Sequence, residues 1–418
     1  MIASRAFFCL KLGAALGLMV VAASAFGQTV DSKAEVKQEV LDQISATLAK
    51  GAFVPGIDFQ KWPEFLKEEK PAIDAAKNDD EFRTAVNEAL HKFGASHVVL
   101  LTPRSSQARR SGATVGIGIS IQVEPEGLSV VRVVKDGPAD KAGIVLGDTV
   151  VEVDGKPITA NPNLSGEEGS TIAIKVKHAD GRLDDYKLTR KKYSTLRPPE
   201  LVWVDADTAQ LKIYSFESAY DQSYVSELLR QAQKAKNLIL DLRFNGGGAV
   251  KNLQQLLSML IPDNKPVGTF IRRSTVADYI ESTGNDGTDL AAIAEWSERK
   301  FRPVRHGEIP LFTGHIAVLV NKFSGSASEI AAAALHDVVG AAIIGTKSAG
   351  AVLASVIDPV SNGFTLQYPI EDYVTIKGVR LEGNGVTPDI VAQDLNLRTP
   401  NAHDDGVDKA CIYFAQAK

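Results

Sequence analysis

Residues 315–338 read HIAVLVNKFSGSASEIAAAALHDV, an apolar run that ends at Val320, then a turn rich in serine and glycine, then an alanine-rich helix. Ser326 arrives just before that helix, where its hydroxyl feels the positive end of the helix dipole and free backbone N–H groups can stabilise an oxyanion. A second stretch, LILDLRFNGGGAV at 238–250, delivers a strand into Gly246, Gly247 and Gly248 ahead of another helix. The surroundings of Ser326 read as a nucleophile's environment. A serine hydroxyl needs a base to take its proton. Of the seven histidines (91, 97, 178, 306, 315, 336 and 403), His336 follows Ser326 on its own helix, which places it about 15 Å along the axis and out of reach. Ser328 reads as a helix cap, and Glu329 as a hydrogen-bonding support. Arg243 and Asn245 could hold the glycine turn or a substrate carboxylate, with a structural ion pair the other reading for Arg243.

These residues must be placed by a layered core. From Pro198 the chain alternates strands (209–214, 237–242, 315–320, 342–345) with helices (223–235, 250–260, 328–338), the pattern of βα crossover units and an α/β fold. The polar stretch 272–307 interrupts that rhythm and reads as an insertion over the core. Ahead of the core, 113–193 holds short β-rich runs separated by Gly and Pro turns. Earlier still, Val36, Val40, Ile44 and Leu48, then Phe82, Val86, Leu90 and Phe93, recur at helical spacing. Between these regions TPRSSQARRSGA, at 102–113, reads as a polar linker and a proteolytic weak point. The expected organisation is a signal at 1–25, a helical region at 26–101, a β-rich domain at 113–193, a core at 198–395 and a C-terminal segment at 396–418.

The 418 residues are 44% hydrophobic and 23% charged, the balance of a folded protein rather than a disordered or fibrous one. With 46 Lys+Arg against 51 Asp+Glu the net charge is −5, which offers no bulk positive field to nucleic acid. Cys9 and Cys411 are the two cysteines, too few and too distant for a thiolate metal site or a disulfide framework. Phosphate-loop, dinucleotide and HExxH motifs are absent, so no metal or organic cofactor is expected. Arg5 and Lys11 precede an apolar run from Leu12 to Ala23 that ends in Ala23-Ser24-Ala25, the order of a secretory signal cleaved after Ala25. The mature chain is expected to be exported, periplasmic or secreted, without an integral membrane span.

Two families resemble these segments. VGIGISI at 115–121 and DGPADKAGIVLGDTVVEVDGKPI at 136–158 resemble a PDZ domain of the bacterial protease-associated kind, in which Gly116, Ile117, Gly118 and Ile119 would form the loop that offers N–H groups to a peptide's terminal carboxylate. The serine and glycine motifs resemble the S41 peptidases, the family of C-terminal processing proteases and tricorn-like relatives. That resemblance implies an α/β, crotonase/ClpP-like layered catalytic core with an N-terminal helical region and a β-rich PDZ domain. It makes Ser326 the nucleophile, with oxyanion donors at Ala327 and at Gly246 or Gly247. The Ser/Lys branch carries a lysine after the next strand, where GTKSAGAVLAS places Ala351; Lys347 would need a different path to Ser326. The tricorn-like branch uses serine, histidine and glutamate with an extra serine. GASHVVLLTP supplies Ser96 and His97, and LEGNGVTPDI supplies Glu382, in matching places.

The resemblance thus implies an exported serine endopeptidase acting on protein or peptide substrates, some held by their C-termini, with an activating partner or a homo-oligomer left open. The PDZ-like domain would either capture a substrate's C-terminus or block the site until displaced. The alternatives are a catalytically silent peptide-binding adaptor on a degenerate core, a displaced Ser326/Lys347 dyad, and a binder of apolar small molecules.

Overall fold

The computed structural model describes residues 34–158, 164–305, 309–397, 399 and 402–416. The expected signal at 1–25 lies outside them. Helices α1 (Ala34–Gly51), α2 (Trp62–Ala75) and α3 (Asp79–His91) open the chain, each with an apolar stripe at helical spacing. Strand β1 (Val99–Leu101) follows. The stretch expected as a linker is instead helix α4 (Pro103–Ser111): Thr102 accepts the Ser105 N–H as N-cap, Pro103 starts the first turn and Gly112 ends it in the left-handed region. Its polar sequence hid a helix whose buried Ser106 hydroxyl bonds Thr365 Oγ1 at 2.7 Å.

A two-stranded stalk, β2 (Ala113–Gly116) antiparallel to β9 (Lys191–Ser194), carries the β-rich domain. That domain comprises β3 (Ile119–Glu124), β4 (Gly127–Val133), α5 (Pro138–Lys141), β5 (Thr149–Val153), β6 (Lys156–Pro157), β7 (Thr171–Lys177) and β8 (Leu183–Thr189). Its core gathers Ile117, Leu128, Val130, Ile144, Ile172 and Val176.

The central sheet runs β10 (Glu200–Trp203), β11 (Thr208–Lys212), β12 (Asn237–Asp241), β14 (His315–Val320), β15 (Ala342–Gly345) and β18 (Ile390–Val391). It is parallel except for β10. Alternate side chains on a strand point to opposite faces. Leu238, Leu240, Val318 and Val320 accordingly join one cluster with helices α6 (Gln222–Ala232), α7 (Val250–Leu260) and α10 (Ala327–Val339). Ile239, Ala317 and Leu319 face the other way, against α11 (Asp405–Gln416).

A second sheet is built on β17 (Thr365–Thr375), which pairs antiparallel with β1, β13 (Gly268–Arg272) and β16 (Ala354–Pro359). The N-terminal helices therefore share a hydrophobic cluster with Leu353, Val360, Phe364 and Leu366. The polar stretch 272–307 begins at the last residue of β13 and carries α8 (Arg273–Thr283) and α9 (Leu290–Trp296), packed over β13 through Tyr279 and Ile293.

Candidate active site

The two chemical motifs leave the C-terminal ends of neighbouring parallel strands, where α/β sheets open a crevice. Asn245 stitches them together. Its side chain donates to Ile213 O (2.8 Å) and accepts the Gly247 N–H (2.9 Å), while its carbonyl accepts the Gly325 N–H and the Ser328 hydroxyl. Ser328 thus ties α10 to the glycine turn rather than capping the helix. Arg243 is spent on a buried ion pair with Asp241 and Asp404, leaving it no role in the crevice. Gly247 lies at φ +99°, and a Cβ there would stand 2.6 Å from Ser326 Cβ. Only glycine fits behind Ser326.

Ser326 itself has φ 55°, ψ −118°, and stands immediately before α10. Its N–H donates to Ala351 O at 2.7 Å and to Glu329 Oε2 at 3.1 Å. The fully buried Glu329 also accepts from Ser348 Oγ, Gly350 N and Ala351 N. Burial pushes its carboxyl up, against these donors, which favour the anion. Gly247 has committed its N–H to Asn245, whereas those of Gly246 and Ala327 have no hydrogen-bond partner among the described residues.

His97 enters from the loop between α3 and β1, at φ 60°. Ser96 Oγ lies 2.7 Å from His97 Nδ1 and donates to Glu382 Oε2 at 2.9 Å. Glu382, nearly buried, further accepts the N–H groups of Ser96 (2.9 Å) and Val352 (2.7 Å). Three segments distant in sequence, Ser96–His97, Ser326 and Glu382, are thus brought to one region: Ser96, His97 and Ser326 line a cleft of about 880 Å³ together with Gly246, Gly247, Ala351 and Leu353. Burial lowers the His97 imidazole below its usual range, with Arg109 adding to the effect and Glu382 opposing it. Lys347 is exposed and does not line the cleft. His336 pairs with Asp337 and Asp389 instead.

Arg109 and Glu217 also line the cleft and pair with each other at 2.7 Å, and Arg109 reaches Gln367 Oε1 at 3.1 Å. Sequence reasoning missed both. Arg109 sits in the stretch read as linker, and neither residue belongs to a motif.

In the β-rich domain Ile117 and Ile119 are buried, so only backbone is offered by the loop from Gly116 to Ile119. The carbonyls of Ile117 and Gly118 accept from Ala139 and Val134. Gly118 adopts φ +81°.

Residues 207–392 match the model of peptidase family S41, and residues 115–188 match the PDZ domain. The chain is 29% identical over 297 residues to a carboxy-terminal-processing protease of Bartonella bacilliformis, covering 66% of this chain and 61% of that one. It is 24% identical over 408 residues to the carboxyl-terminal-processing protease of Synechocystis sp., covering 93% and 88%. The chain spans less than two thirds of the Bartonella relative and 53% of a probable CtpA-like serine protease of Staphylococcus epidermidis. In fold it is similar to the photosystem II D1 C-terminal processing protease (TM-score 0.53, 20% identity, 90% of this chain and 96% of that one). Mature CPAF complexed with lactacystin gives 0.55 at 14% identity over 92% and 98%. With both motifs on neighbouring strands of this core, the chain carries an S41 peptidase domain at 207–392 and, ahead of it, a PDZ domain at 115–188.

Proposed function

We propose that this protein is an exported serine endopeptidase in which Ser326 is the nucleophile, His97 the base and Glu382 the group that orients the base through Ser96. The observation that carries the reading is the Ser96 hydroxyl set between His97 Nδ1 and Glu382. Because that hydroxyl donates its one proton to the carboxylate, its lone pair accepts from Nδ1–H. The tautomer this favours leaves Nε2 unprotonated, as a general base requires. The depressed imidazole is neutral at neutral pH, ready to accept.

As Ser326 Oγ bonds to the scissile carbonyl carbon, its proton passes to His97 Nε2. The carbonyl oxygen becomes an oxyanion, towards which Gly246 and Ala327 can offer N–H groups that have no partner among the described residues. Collapse breaks the C–N bond, and the imidazolium returns its proton to the leaving amine. Water, deprotonated by the same imidazole, then hydrolyses the acyl-serine and restores the hydroxyl. Glu382, accepting three hydrogen bonds as an anion, stabilises the transient imidazolium through Ser96.

Peptide substrates are the class implied by the PDZ domain, and export by the sequence at 1–25. No helix among the described residues is long and apolar enough to cross a membrane. A fluorophosphonate probe should label Ser326 in the mature protein, and labelling should vanish in Ser326→Ala and His97→Ala. Undiminished proteolysis by the Ser326→Ala protein would reject the reading.

A further inference from the structure

Behind the Arg109–Glu217 pair lies a side pocket of about 200 Å³ that shares Arg109, Ser215 and Glu217 with the catalytic cleft. It is walled by Thr195, Arg197 and Tyr214, from the segment where the stalk rejoins the central sheet and from the end of β11. The Arg197 guanidinium lies 3.5 Å over the Tyr214 ring. Among the described residues it has no carboxylate within ion-pair distance; Glu200 lies near the Tyr214 hydroxyl. Arg132, on β4, likewise has no carboxylate partner among the described residues, where its one bond is a 3.4 Å contact to Thr195 O. Burial, reinforced by the charge of Arg197, lowers Arg132 from its usual value. Arg109 and Arg197 both line the side pocket against the single lining carboxylate Glu217, and Arg132 stands close enough to Arg197 for the two to repel, which leaves a net positive field where the pocket joins the cleft. Like charges kept together with too few counterions are stabilised by an anion that arrives with a ligand.

We propose that this side pocket is a carboxylate subsite of the peptidase, in which Arg197 binds an acidic group of the substrate, either the chain's terminal carboxylate or an Asp or Glu side chain near the scissile bond. The proposal rests on the peptidase reading and adds a substrate class to it. Arg197 is a specificity-determining residue here. Its flat guanidinium, held by the ring, presents an edge of N–H groups to a carboxylate without rotamer loss. Arg197 lies outside the residues matched to the PDZ domain, so this subsite differs from the loop at Gly116 to Ile119.

The test reads binding, so that it stands even if no hydrolysis is found. The full mature chain carrying Ser326→Ala is titrated calorimetrically with acetyl-Ala-Ala-Leu-Ala-Ala as free acid and as amide, and with the amide bearing Glu or Gln at its fourth position. One of the two pairs should show a preference for the carboxylate of about ten- to a hundred-fold, the range of a charge-assisted bond. The acid/amide pair identifies a chain terminus as the natural group, and the Glu/Gln pair a side chain. Arg197→Gln should collapse that ratio towards one, and Arg197→Lys should retain part of it. Equal affinities within both pairs, or a ratio untouched by Arg197→Gln, would overturn the proposal, while fluorophosphonate labelling of Ser326 tests the peptidase chemistry independently.

Discussion

Replacing Ser96 by alanine removes one oxygen and leaves the Glu382 carboxylate anchored by the Ser96 and Val352 backbone N–H groups at 2.9 and 2.7 Å. The loop should therefore stay folded, with a stability change below about 1 kcal/mol for a half-buried hydroxyl. His97 Nδ1 loses its acceptor at 2.7 Å, and with it the preference for the productive tautomer. During attack the imidazolium loses a charge-assisted hydrogen bond worth about 1.5–3 kcal/mol, which at 1.4 kcal/mol per decade is roughly a 10- to 150-fold loss in rate. Glu382→Gln should be worse on both counts. Each carboxylate oxygen faces a backbone N–H, so one of them must meet the new NH₂ donor head-on. The assay is the second-order rate of Ser326 labelling by a small neutral fluorophosphonate, beside urea unfolding of the same samples. A Ser96→Ala protein that labels within threefold of wild type, while folded, would refute the relay. The imidazole would then be oriented by something other than this hydroxyl.

Gly247→Ala places a Cβ 2.6 Å from Ser326 Cβ and 2.8 Å from Gly325 O at φ +99°, so strain and overpacking together should cost about 2–5 kcal/mol in urea unfolding and abolish labelling. Gly246→Ala meets no atom within 4 Å at its Cβ and should stay within about 0.5 kcal/mol of wild type; equal effects of the two would contradict the packing described. The rate of labelling should fall as pH drops through the depressed imidazole, because only neutral His97 accepts the proton, and Arg109→Gln should move that acid limb to higher pH by removing a charge that lowers it. An acid limb that Arg109→Gln shifts the other way, in a pH series with the neutral probe, would count against His97 as the titrating base. Lys347→Met should leave labelling within twofold, since that side chain is exposed and does not line the cleft; a large loss would revive a lysine-assisted mechanism.

What could be read from the residues was whatever local pattern decides. The strand at His315–Val320 and the helix at Val250–Leu260 coincide with the runs seen in the sequence, because a buried parallel strand and an amphipathic helix both write their burial into consecutive residues. The sheet around β17 was not legible. Its partners lie at 99–101, 268–272 and 354–359, and no short window records which distant segment will supply the next strand. Helix α4 was misread because it buries little besides Ser106, so its sequence has a cap and a stop without an apolar stripe. With it went Arg109, whose place in the cleft follows from the path of that helix. The Glu382 cradle is half backbone: Val352 contributes an N–H, which residue identity does not advertise.

In the proposed reading, the segment 350–352 is what lets His97 serve where the Ser/Lys pattern would place an ammonium. Ala351 has no side chain to act with, but its carbonyl accepts the Ser326 N–H and its own N–H is held by Glu329. One residue on, Val352 donates to Glu382, which holds Ser96, which holds His97. Ser326 and the loop of His97 are thus fastened to opposite sides of the same dipeptide. Both sit at positive φ, a conformation costing about 1–3 kcal/mol each that persists only where the surroundings over-determine it. The over-determination is visible: Ser326 is fixed by Ala351 and Glu329 from one side and by the Gly247 contact from behind, and the loop of His97 by a carboxylate that accepts both the backbone and the side chain of Ser96. With alanine at 351, the main chain serves as the common mount for two groups that come from far apart in the chain.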